Sequence, residues 1–166
     1  INASTMEFET DLDTFKADAA CVVPAQRAGA IAMAAGVNNG DWCPIVPASM
    51  QSQADENIYV LGDASVAKSM PKSGFSANSQ AKVAANHIRG ALTGSKVFDA
   101  RYSNTCWSLI APDDDVKVGA SYVAGAEAID VESKFISQAD DTSETRAANY
   151  QESIDWYNGM TADMFS

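Results

Sequence analysis

The chain has 166 residues, 46% of them hydrophobic and 20% charged. That suits one domain, or one small domain plus part of another, and excludes disorder over most of the length. The net charge is −11, with nine Asp/Glu against six Lys/Arg in residues 1–95 and thirteen against five in residues 96–166. This acidic balance argues against nucleic acid and anionic membrane as partners and leaves a basic protein partner or plain solubility. No run approaches the ~20 consecutive apolar residues of a membrane helix, so no membrane insertion is expected. The opening INASTMEFET lacks an initiator Met and a signal-peptide pattern, and reads as the start of a mature or cut product.

In chain order, Thr5 to Glu9 alternates, Asp11-Leu12-Asp13 marks a turn, and Thr14 to Val23 is extended up to Pro24, which predicts a β-hairpin. Ala28, Ile31, Ala32 and Ala35 fall at helical spacing within 25–35, with Gly36 as the stop. The prolines of Trp42-Cys43-Pro44-Ile45-Val46-Pro47 impose extended geometry. Asn57 to Leu61 has the length and β-branched content of a buried strand, closed by Gly62-Asp63. From Ser73 to Leu92 the pattern is helical, with Ala77, Ala81, Ala84, Ile88 and Leu92 on one face. Strand, loop and small-residue helix make an α/β crossover unit.

Beyond a boundary near 93–98 the composition changes. Tyr102 to Ile110 and Val116 to Val123 read as strands around the turn Pro112-Asp113-Asp114-Asp115, and Ala128 to Val131 as a third. A last helix starts near Asp141, with Glu144 completing a capping-box-like pair. Ala147, Tyr150, Ile154 and Tyr157 share its face, and Gly159 ends it. The division is residues 1–95 and residues 96–166, the second a small α+β unit.

Several residues can carry chemistry. Asp63 follows a short strand, where an open α/β sheet receives ligands, and Gly62 permits close approach; a turn or cap role is the alternative. Met70-Pro71-Lys72-Ser73 leads into a helix start, whose amides and dipole favour negative charge beside the Lys72 cation. That suits the electron-rich edge of a reduced flavin, or else a capped helix with a solvent-facing lysine. The three cysteines, Cys21, Cys43 and Cys106, leave at least one thiol without an internal partner. Cys21 and Cys106 read as buried apolar residues. With one histidine and no CxxC, a structural zinc site is not expected. Trp42, Trp107 and Trp156 are core residues or, alternatively, relay or interface aromatics, and His87 reads as a surface residue.

IYVLGDASVAKSMPKSGFSANSQAK, with VVPAQRAGAIAMAAG and DWCPI before it and YSNTCWSLIAPDD after it, resembles the C-terminal part of the flavoprotein subunit of flavocytochrome c sulfide dehydrogenase. The resemblance runs over nearly the whole chain. It implies α+β and α/β architecture: the second half of an FAD-binding two-nucleotide fold (hairpin, helix, strand, helix), then a dedicated C-terminal domain. It implies FAD contacts from Gly62, Asp63, Ala64, Met70, Pro71, Lys72 and Ser73. It also implies that Cys43 forms a redox-active disulfide beside the flavin, a periplasmic location and a c-type cytochrome partner. The family's GxGxxG loop, its flavin-attachment cysteine and the disulfide partner of Cys43 are not among these residues. The expectation for this chain alone is therefore a free Cys43 thiol, weak or absent flavin binding, no turnover and self-association through uncovered apolar surface. Two other readings are a non-catalytic cytochrome-docking module, and a sulfide:quinone oxidoreductase-like flavoprotein, which the lack of a membrane-seeking amphipathic helix in the tail disfavours.

Overall fold

The computed structural model describes residues 1–165 and has a small α+β architecture with two antiparallel sheets. Strands β1 (Glu7–Glu9) and β2 (Thr14–Lys16) form a hairpin that pairs Phe8 with Phe15. Its turn is closed by Thr10, whose hydroxyl accepts from the amides of Leu12 and Asp13. A short helix α1 (Ala30–Ala34) follows, and Ala28, Ala32 and Val37 bury themselves around Cys43.

Helix α2 (Gly74–Thr93) is the longest element of the first part. Ser73 caps its start by accepting from the Ser76 amide, and Gly94 ends it in a left-handed conformation with φ 69°. Strands β3 (Arg101–Ala111), β4 (Asp114–Ala124) and β5 (Ile129–Ile136) then form one sheet in the order β3-β4-β5. Helix α3 (Ser143–Phe165) packs back on β4. It is held there by the Arg146–Asp114 and Lys117–Glu152 ion pairs and by Asn149, which donates to the Asp115 carbonyl at 3.3 Å. Trp156 of α3 stacks on Phe75 at 5.2 Å and meets Trp107 at 5.8 Å, so these two tryptophans pack together between helices and sheet.

The two parts of the chain share one core. Tyr102, Ala120, Tyr122 and Ile129 from the sheet pack with Ile45, Met50, Met70, Val83 and Ala84. The Tyr102 hydroxyl donates to the Pro47 carbonyl, and burial pushes its pKa well up. The other half of this sheet face is open and forms a groove of about 960 Å³ beside Ser69 and Pro71.

Several elements differ from the sequence expectation. No regular strand spans 57–61; Tyr59 makes one bridge to Gln51, while Ser52 donates to Ile58 and Val60 donates to Met50. The run is half-buried against the 43–52 loops rather than inserted between strands. The predicted helix over 25–35 shrinks to five residues, and the extended stretch after Lys16 pairs with nothing beyond Ala17. β5 is longer than 128–131 because the β4 ladder continues to Val118–Ile136. α3 begins beside Thr142, whose hydroxyl accepts from the Thr145 amide in place of an Asp141–Glu144 box. It runs straight through Gly159, and Asn149 is its buried residue while Tyr157 is exposed.

Cys21 and Cys106 are both exposed, contrary to expectation. Cys106 shares a face with Tyr102 and Asn104 but lines the open groove, and Cys21 lies in the irregular stretch before α1. His87 is half-buried, with its Nδ1 2.8 Å from the Tyr59 hydroxyl. The register also explains Gly119: a Cβ there would lie 2.2 Å from the Asn104 carbonyl oxygen and 2.4 Å from the Phe135 ring. Gly119→Ala is expected to destabilise the fold by about 1–3 kcal/mol through overpacking, read as a lower urea midpoint with an unchanged m-value.

Candidate functional site

Of the predicted site residues, Gly62, Met70, Pro71, Lys72 and Ser73 line one recess, whereas Cys43, Asp63 and Ala64 lie beside it and outside its wall. Gly62, Asp63 and Ala64 form a single 3-10 turn, entered through Gly62 at φ 68°, a backbone conformation that glycine adopts without a Cβ penalty. Ser65 closes the turn by donating its hydroxyl to the Gly62 carbonyl at 2.8 Å. A parallel bridge joins Ser65 to Cys43: the Cys43 amide donates to Ala64 at 2.9 Å, and the Val66 amide donates to Cys43 at 2.9 Å. Cys43 is fully buried as a free thiol.

From the other side, Lys72 reaches over the turn. Its Nζ donates to the carbonyls of Asp63 at 2.5 Å and Ser65 at 3.1 Å, and sits 3.8 Å from the centre of the Trp42 ring. Partial burial lowers the Lys72 pKa, opposed by the negative charges of Asp63 and of Cys43 when ionised. Burial raises the Cys43 pKa, and Lys72 opposes that rise. Around these groups lies a hollow of about 200 Å³ walled by Trp42, Gly62, Met70, Pro71, Lys72 and Ser73. The Asp63 residue is exposed, whereas Met70 is buried.

Two polar residues outside the predicted set hold this arrangement. Gln80 accepts from the Gly62 amide at 2.6 Å and turns its NH₂ toward the Met70 sulfur at 3.8 Å. Asn104 of β3 accepts at Oδ1 from the hydroxyls of Ser73 at 2.5 Å and Ser76 at 3.1 Å. The signal for Gln80 was present: Ser73, Ser76 and Gln80 are spaced three and four apart, a polar stripe on one helix face. Asn104 carried no such signal, because its partners lie 28 and 31 residues earlier.

The recess brings an ammonium and a helix start to an opening with apolar walls, and at about 200 Å³ it is too small for a whole dinucleotide. Among the described residues, no group of three or more His, Cys, Asp or Glu could hold a metal ion. No helix of the described residues is long and apolar enough to cross a membrane.

Fold and recess together define a small α+β protein in which an antiparallel sheet and its helices buttress a turn set against a helix start. Residues 98–165, from the approach to β3 through α3, match the model of the family described as flavocytochrome c sulphide dehydrogenase, flavin-binding. Over this segment the resemblance read from the sequence is borne out, and the cofactor of the family's complete protein is a flavin. The match begins in the connection between α2 and β3, and the recess residues lie before it.

Because Gln80 is buried and supplies the acceptor for the Gly62 amide, Gln80→Met should leave that amide unpaired and cost about 1–3 kcal/mol in stability. Hydrogen exchange at Gly62 should accelerate more than at Val83, one turn further along α2.

Proposed function

We propose that this chain is the C-terminal part of the flavoprotein of an FAD-dependent sulfide dehydrogenase. In the complete periplasmic enzyme, sulfide is oxidised and its electrons pass by way of FAD to a c-type cytochrome subunit. The family match over residues 98–165 is the observation that carries this reading. Residues 1–95 are the end of the FAD-binding domain and 96–166 the C-terminal domain.

The bound flavin would supply the two-electron acceptor. Around it, Gly62, Asp63, Ala64, Met70, Pro71, Lys72 and Ser73 form one wall. Asp63 accepts hydrogen bonds from ligand hydroxyls, and Lys72 with the α2 start favours negative charge at the ring edge. Cys43 lies against the same turn through its backbone bridge to Ser65, and its sulfur is the one that would form the disulfide. Attack by sulfide makes one sulfur–sulfur bond as another breaks, and the leaving sulfur departs as a thiolate.

A second reading is that the chain alone acts as a docking module for a basic cytochrome. The acidic excess of residues 96–166 favours it, as does the exposure of Leu109 and Ile110 near the exposed Asp113. A flavin absorbance band in the purified chain supports the first; a colourless chain fits both, and binding of a basic c-type cytochrome by that colourless, stably folded chain supports the second.

In the complete protein, Cys43→Ser is expected to abolish sulfide:cytochrome c reduction, by at least about 10²-fold, with FAD still bound. Retained turnover would remove Cys43 from the chemistry. Asp63→Ala should weaken flavin retention on gel filtration, and unchanged retention would make the carboxylate structural.

A further inference from the structure

Lys72 is exposed as a residue, but its ammonium is turned back onto the protein. Its ammonium is held on three sides, by the ring of Trp42 and by the carbonyls of Asp63 and Ser65. Those groups are the immediate surroundings of Cys43. Trp42 precedes Cys43 in the chain, and Ser65 is the residue bridged to it. One cation is thus fixed by the same turn and the same ring that flank a fully buried thiol.

We propose that Trp42 is a positioning residue for Lys72. Its ring, with the two carbonyls, holds the ammonium where it stabilises negative charge on the Cys43 sulfur. An aromatic face attracts a partly desolvated ammonium through its quadrupole, and two carbonyl acceptors fix the direction of approach. A flexible lysine without that cage would place its charge in water, where screening weakens its effect on a buried sulfur.

No other charged group has the same hold on Cys43. Helix α1, which packs against the thiol, carries no charged residue. The 58–64 segment contributes Asp63, whose carboxylate acts in the opposite sense, and the loop beyond contributes Lys68, which is exposed on the rim of the hollow. Burial and Lys72 pull the thiol in opposite directions. The cage therefore governs how much of the cost of burial is offset at the sulfur. This inference rests on contacts within the chain and stands whether or not a flavin is bound.

The test uses this chain with Cys21→Ser and Cys106→Ser, which leave Cys43 as its only thiol. Thiolate formation is followed by absorbance near 240 nm as a function of pH, with circular dichroism as the check on folding. Lys72→Met should move the Cys43 midpoint to higher pH. Trp42→Leu should move it in the same direction, and Trp42→Phe, which keeps an aromatic face, should restore most of the shift. An unchanged midpoint in Lys72→Met would overturn the proposal. So would a Trp42→Leu midpoint that stays put, moves down, or is not rescued by Phe. Should Trp42→Leu fail to fold, Lys72→Arg and Trp42→Phe suffice. Both should keep the midpoint within the range between the parent and Lys72→Met, and a Trp42→Phe midpoint as high as that of Lys72→Met would overturn the role of the ring.

Discussion

The site depends on how one problem is solved: the backbone of residues 62–65 must turn sharply while its half-buried polar groups find partners. Gly62 makes the turn possible at φ 68°. Gln80 then takes the Gly62 amide, Ser65 takes its carbonyl, Cys43 takes the Ala64 carbonyl, and Lys72 takes those of Asp63 and Ser65. Buried backbone groups must find partners, and apart from the turn's own Ser65 hydroxyl they come from Cys43, Lys72 and α2. That requirement brings α2, the 43–46 segment and Lys72 to one place.

The sheet of β3, β4 and β5 is the buttress for this turn. Tyr102 buries itself against the 45–50 loops and Asn104 secures the start of α2. Met70, which Gln80 touches, lies in the same core as Tyr122 and Ile129. The segment that matches the flavin-binding family thus contributes no wall to the small recess. It contributes rigidity, together with the open groove beside Pro71.

Much of this was legible in local patterns. The helix over 73–92, the strands over 102–110 and 116–123, the beginning of the third strand and the last helix follow from periodicity, turn residues and capping, and the structure has each of them. The weaker readings failed where local pattern was asked to settle a tertiary question. NIYVL has strand composition, yet its neighbours are loops, so it forms a single bridge. Cys106 alternates correctly with Tyr102 and Asn104, but alternation gives the face of a strand and says nothing of where along it the cover stops. Gly159 is a helix breaker only when the chain has a reason to leave, and α3 continues along its surface past it. In the recess, Gly62, Asp63, Lys72 and Cys43 stood out as residue types, whereas Asn104 and the clasp of Trp42 on Lys72 required three-dimensional placement.

The bond from Asn104 to Ser73 and Ser76 has a consequence for how this molecule can vary over time. A mutation that removes the Asn104 amide strands two hydroxyls at the far end of the chain's first part, and a mutation of either serine deprives the amide. Such positions drift as a set, each change tolerated only on a background that already suits it. The two halves of the chain are therefore coupled at three residues, although nothing in the local sequence around any one of them announces the other two.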